Sequence, residues 1–127
     1  MTMIPYLAVS DAKAAITYYG RVFGFELDES EFFEMDDRRV GHATLRLGDT
    51  TIFVSDEYPE HGANAPTSLG GTSVGLVIFV DSADNTYAMG VDAGGTPDRD
   101  VSNNNGHRSG WFYDPWGHRW SPTSDEV

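Results

Sequence analysis

A chain of 127 residues with 39% hydrophobic and 13% aromatic content has the size of one domain and enough apolar surface for a single core. Its net charge of −12, from 20 acidic against 8 basic residues, argues against a nucleic-acid partner, because phosphate binding needs a basic stripe. With no cysteine, disulfides, thiolate metal sites and a cysteine nucleophile are excluded, which leaves His, Asp and Glu as candidate metal ligands.

The start, "MTMIPYLAVSDAK", has no basic region ahead of an apolar run. No later stretch approaches the ~18 apolar residues of a membrane span. The expectation is a cytoplasmic protein with no membrane partner. "IPYLAV" at 4–9 reads as a short strand, after which Ser10 is placed to cap a helix carrying Ala12, Ala15, Ile16, Tyr19 and Phe23 at helical spacing, closed by Gly24. "GFELDESEFFEM" and "VGHATLRLGDTTIFVSDE" follow as strand material, with Gly48 and Asp49 as a hairpin turn. Within it "DESEFFEMDD", residues 28–37, is acidic at six positions in ten. It reads first as a solvated face serving solubility, and second as a patch that steers a cationic ligand.

"YPEHGANAPTSLGG" is rich in Gly and Pro and reads as a linker. Beyond it the order repeats: a strand over 73–80, a cap near Ser82, an amphipathic run through Ala83, Tyr87 and Val91, then Gly94 and Gly95. An offset of 71 residues lays Val9 on Val80, Ala12 on Ala83 and Gly24 on Gly95. "TPDRDVS", a polar "NNNGH" loop and "SGWFYDPWGHRWSPT" complete the half, with Pro115 and Gly117 marking a turn. The plan is βαβββ twice, at about 1–57 and 73–127. One helix per four strands is too few to cover both faces of a parallel sheet. An α+β architecture of paired half-barrels fits better.

These paired modules, with "AVSDAKAAITYYGRVFGFE", "GHATLRLGDTTIFVSDE" and "DPWGHRW", resemble the vicinal oxygen chelate superfamily over nearly the whole chain. That superfamily includes glyoxalase I, bleomycin resistance proteins, fosfomycin resistance proteins and extradiol dioxygenases, and the likeness is greatest to its PhnB-like branch. The motifs are specific for fold and weak for reaction. Enzymes of this kind bind a divalent metal through four side chains, and the resemblance places those positions on Ile4, Phe53, Gly75 and Ser121. None is a His or a carboxylate, so no metal and no cofactor is expected there.

The same resemblance, with period two in the strands, directs Tyr6, His42, Thr44, Arg46, Phe53, Val77, Trp111, Tyr113, Arg119 and Ser121 into the cavity as ligand-binding candidates. Phe112, His118 and Trp120 then face outward against helices or a partner subunit. His42 is the tempting base, but no inward acid is evident in the sequence to orient it, and a structural or ligand-contacting role is the better match to a lone His. Arg46 and Arg119 either bind a carboxylate or phosphate, or keep their heads at the rim with stems packed on Trp111. Asp56, Glu57 and His61 form a weak cluster on what reads as a loop surface.

Two functions compete most closely: a metal-free binder that sequesters a drug or metabolite, as bleomycin resistance proteins do, and an enzyme of the superfamily using an atypical site around His42. A dimeric interaction module is a third. Exposed Trp116, Trp120 or Phe33 would favour a homodimer.

Overall fold

The computed structural model describes residues 1–126. The chain divides into two compact units, Met1–Leu69 and the remainder from Gly70. In the first, β1 (Tyr6–Val9) is followed by α1 (Ala12–Phe23), β2 (Glu26–Glu34), β3 (Val40–Leu47) and β4 (Thr50–Asp56). The sheet has the order β1-β4-β3-β2, with β1 parallel to β4 and the other pairs antiparallel. The second unit repeats this with β5 (Gly75–Phe79), a helix over Ala83–Asp92, β6 (Thr96–Asn104), β7 (His107–Tyr113) and β8 (Arg119–Asp125), in the order β5-β8-β7-β6. The α+β class and the twofold βαβββ plan are those of the glyoxalase/bleomycin resistance fold, with both sheets open.

The cap of α1 is Asp11, not Ser10: the Asp11 carboxylate accepts from Ala14 N–H at 3.1 Å. The neighbouring Ala12 N–H is taken by Asp56 Oδ1 at 2.8 Å, while Asp56 Oδ2 accepts from Val40 N–H at 2.6 Å. One carboxylate on β4 thus anchors the start of both the helix and β3, so the helix begins where that anchor holds it. Gly24, at φ 93°, closes α1 in the left-handed conformation that glycine adopts without Cβ strain. The helix buries Ala12, Ala15, Tyr18, Tyr19 and Val22. The sheet offers Leu7, Val9, Ala43, Leu45, Ile52 and Val54, all buried, on one set of alternate positions. The intervening residues therefore line the opposite, open face.

The stretch 58–69, expected as a linker, is folded. A 3₁₀ turn at Pro59–His61 and α2 (Pro66–Leu69) are tied back by Glu57, whose carboxylate accepts from Ala65 N–H at 2.7 Å and from the Ser68 hydroxyl. Arg39 lies 3.8 Å over the Tyr58 ring and pairs with Asp37 and Glu60.

The helix of the second unit is α3 (Ala83–Asp92), capped as expected by Ser82 on Asn85 N–H at 3.1 Å. It buries only Ala83 and Gly90. The bulk comes from the sheet, where fully buried Phe112 lies against Gly90, so closely that an added Cβ would stand 2.5 Å from its ring. "NNNGH" is not a free loop. β6 and β7 continue through it to a two-residue turn at Asn105 (φ 55°) and Gly106 (φ 83°), the Asn-Gly pairing that a tight hairpin requires.

The turn in "DPWGHRW" is organised by Asp114. Its Oδ1 accepts from Trp116 N–H at 2.9 Å and His118 N–H at 3.0 Å, and its Oδ2 accepts from Trp120 Nε1–H at 2.9 Å. Trp116 and Trp120 are 7% and 3% exposed. Both indoles are buried within their own chain, which corrects the expectation that they leave apolar surface needing a partner. Among the described residues no helix is long and apolar enough to cross a membrane.

Candidate functional site

The open face of the first sheet carries an aromatic group drawn from four strands. Tyr6 of β1, Phe33 of β2, His42 of β3 and Phe53 of β4 meet with ring centroids 5.5 Å (Tyr6–His42), 5.4 Å (Tyr6–Phe53), 4.6 Å (His42–Phe53) and 6.3 Å (Phe33–His42) apart. Two of these contacts follow from register: Tyr6 lies opposite Phe53, and Phe33 opposite His42. Tyr6 and Phe33 remain about half exposed, at 53% and 51%, so the group offers apolar ring surface to solvent.

Beneath the rings runs a polar chain. The Tyr6 hydroxyl is 2.8 Å from His42 Nδ1, and His42 Nε2 is 2.8 Å from Thr44 Oγ1. Fully buried Thr44 donates to Glu31 Oε1 at 3.0 Å. Glu31 Oε2 pairs with Arg46 at 3.0 Å, and Arg46 reaches Asp28 at 3.2 Å. A carboxylate only accepts, so Thr44 must donate to Glu31, and its oxygen is left to accept from His42 Nε2–H. The neutral imidazole therefore carries its proton on Nε2, and Nδ1 accepts the Tyr6 O–H. Burial, and secondarily Tyr58, raises the Tyr6 pKa and keeps the phenol protonated. Asp28 is held below the usual carboxylate range, first by the Ser30 hydroxyl and then by Arg46.

Glu31 and Asp28 correct the expectation that no inward acid accompanies His42. β2 and β3 pair as Asp28 with Thr44 and then, after an irregularity, Phe32 with Ala43. The extra residues of this bulge turn Glu31 towards Thr44. The sequence shows only an acidic run, and nothing in strand parity predicts a bulge there. Arg46, read as a candidate anion binder, is engaged by two carboxylates of its own sheet.

The second open face is built differently. Arg119 stacks 3.9 Å over Trp111 and pairs with Asp98 at 2.9 Å. The Trp111 ring lies under Gly75, where an added Cβ would stand 2.8 Å from it. Tyr113 stands opposite Arg119 and Val77 opposite Ser121. Val77 is exposed and Ser121 buried. Tyr6, His42, Thr44, Arg46 and Phe53 thus gather on the first sheet, and Trp111, Tyr113, Arg119, Val77 and Ser121 on the second. Asp56, Glu57 and His61 do not converge: the first two hold backbone amides, and His61 stacks on Tyr58.

The four positions to which the resemblance assigns a metal carry no His or carboxylate. Ile4 and Phe53 present carbon, Gly75 no side chain, and Ser121 a neutral hydroxyl. Among the described residues no three His, Asp or Glu are grouped to hold one elsewhere.

Residues 2–121 match the family model described as Glyoxalase/Bleomycin resistance protein/Dioxygenase superfamily. An uncharacterized protein of Mycobacterium bovis is 34% identical over 121 residues, covering 92% of this chain and 78% of its own. A Pseudomonas aeruginosa protein superposes with a TM-score of 0.78 at 19% identity, covering 100% of this chain and 99% of the other. A PhnB protein from Bacillus cereus does so with 0.74 at 18%, covering 98% and 99%. With the repeated βαβββ units, this match across almost every residue means that the chain belongs to the glyoxalase/bleomycin resistance protein/dioxygenase superfamily.

Proposed function

We propose that this protein binds a small planar molecule on the open face of its first sheet, without a metal at the superfamily's ligand positions, and so sequesters a drug or metabolite. The observation that carries this reading is the group Tyr6, Phe33, His42 and Phe53, of which Tyr6 and Phe33 are half exposed, and whose rings are fixed by one another and by the Thr44–Glu31 chain. Ring walls with a few oriented polar groups describe a recognition surface for an aromatic ligand. The hydrocarbon and glycine at three of the four metal positions support a role that needs no Lewis acid.

The reading is tested by titrating the protein with a panel of planar aromatic compounds and following Tm. A ligand that binds only the folded state raises stability by RT ln(1 + [L]/Kd). Phe53→Ala is expected to abolish the shift. A panel without shifts, or equal shifts in the variant, overturns the reading.

A second reading, an enzyme centred on His42, is favoured by the Tyr6–His42–Thr44–Glu31 chain, because an imidazole oriented by a carboxylate is how a general base is prepared. Both readings place the protein in the cytoplasm as a homodimer. Half-exposed Phe33 supports the dimer, and sedimentation showing a 13.9 kDa species at high micromolar concentration would contradict it.

A further inference from the structure

We infer that Tyr6 and His42 form a proton-accepting pair, positioned by Glu31 through Thr44, and that the ligand is a planar molecule bearing an acidic hydroxyl, bound as its anion. This deepens the binding reading above and rests on it. Each end of the chain points the same way. Glu31 accepts only, which orders Thr44, then His42, and leaves Nδ1 as a base that meets the Tyr6 hydroxyl at 2.8 Å. Tyr6 is the exposed member, so a ligand hydroxyl meets its oxygen first.

The transfer balances. The ligand O–H bond breaks and its proton joins the Tyr6 oxygen, while the Tyr6 proton passes to Nδ1 as an N–H bond forms. The ligand becomes an oxyanion, Tyr6 remains a neutral phenol, and His42 becomes an imidazolium. Its Nε2–H still faces Thr44, and Glu31 balances its charge. Gly41 carbonyl oxygen, 3.2 Å from the Tyr6 hydroxyl, offers a second acceptor when Nδ1 carries its own proton. The charged and titratable groups facing His42 are Tyr6 from β1, Glu31 and Asp28 from β2, and Arg46 from its own strand. β4 contributes Phe53, which does not titrate. Arg46 neutralises one of the two carboxylates, so Glu31 and Asp28 together leave the new oxyanion facing a balanced set of charges rather than two bare anions.

The test uses para-nitrophenol, whose anion absorbs at longer wavelength than its neutral form, beside its methyl ether para-nitroanisole, with ¹⁵N-histidine spectra of the same samples. In the unsubstituted protein nitrophenol is expected to bind with the anion band at a pH where the free phenol is protonated, and His42 to show Nε2–H in the free protein. Glu31→Gln, which can donate as well as accept, is expected to release the tautomer and lower the preference for nitrophenol over nitroanisole about tenfold. Tyr6→Phe is the second variant, at an exposed position, and is expected to lose the anion band. Equal binding of both probes without the band, or a Glu31→Gln protein that keeps both the preference and Nε2–H, overturns this inference and leaves the binding function standing. If neither probe nor any compound of the aromatic panel binds, both fall.

Discussion

In the first unit α1 brings Tyr18, Tyr19 and Val22 to a sheet face of Leu, Ile, Val and Ala, whereas in the second α3 contributes only Ala83 and Gly90 to the core, the sheet supplies Phe112 and Trp120, and the turn between β7 and β8 supplies Trp116. The same element order is filled from opposite sides. When the bulk sits on the helix, the sheet face beneath it is aliphatic. When it sits on the sheet, the helix must recede, and Gly90 over Phe112 is where it does so. The open faces differ in parallel: the first holds an interlinked ring group with a polar chain below it, and the second a tryptophan covered by its own arginine.

The sharpest way to break this contrast is to delete the sheet-borne bulk. Phe112→Ala is expected to lower unfolding free energy by about 3–5 kcal/mol in denaturant titration, because the helix above it has no side chain with which to fill the cavity. A loss below that of Tyr19→Ala would mean that the second core is the more forgiving of the two. Asp114→Ala comes next. It removes one acceptor from each of two backbone amides and the Trp120 indole N–H, and the expected loss is on the order of 3 kcal/mol, read as a lower midpoint together with a shift in tryptophan fluorescence.

The two inward arginines separate the faces more finely. Arg119→Met is expected to cost about 1 kcal/mol through the lost stacking on Trp111, while Arg46→Met, at an exposed ion pair, costs about 0–1 kcal/mol in the same titration. A larger loss at Arg46 would make the first face the more dependent on charge. The smallest effect is electrostatic. Arg39 pulls Glu60 down from the ordinary 4.5 to about 2. A depressed folded pKa contributes stability that is present above the unfolded value and lost as pH falls through the folded one. Glu60→Gln should therefore flatten the stability profile between about pH 4.5 and 2 and leave neutral pH almost untouched, with solvent screening keeping the change small.

Regular alternation made much of this legible in the sequence. Parity put Tyr6, His42, Thr44 and Phe53 on one face and Phe112 and Trp120 on the other, and the Gly48-Asp49 and Asp114–Gly117 turns lie where their residues asked for them. What could not be read were the departures from period two. The bulge after Asp28 moves Glu31 into reach of Thr44, and no local residue type announces it. Asp11 displaced Ser10 because a distant carboxylate, Asp56, also holds the helix start, a tertiary effect that capping preference does not contain. The Asn-Gly turn was hidden within a run of asparagines that looked like a loop.

Gly75 bears on how this lineage could change. The resemblance assigns it a metal position, yet a single substitution there to His or Glu would drive the new Cβ to within 2.8 Å of the Trp111 ring. The tryptophan would have to shrink first, and its stacked partner Arg119 would then lose its platform. Introducing a ligand at Gly75 is thus an ordered, multi-step path whose first move is itself harmful.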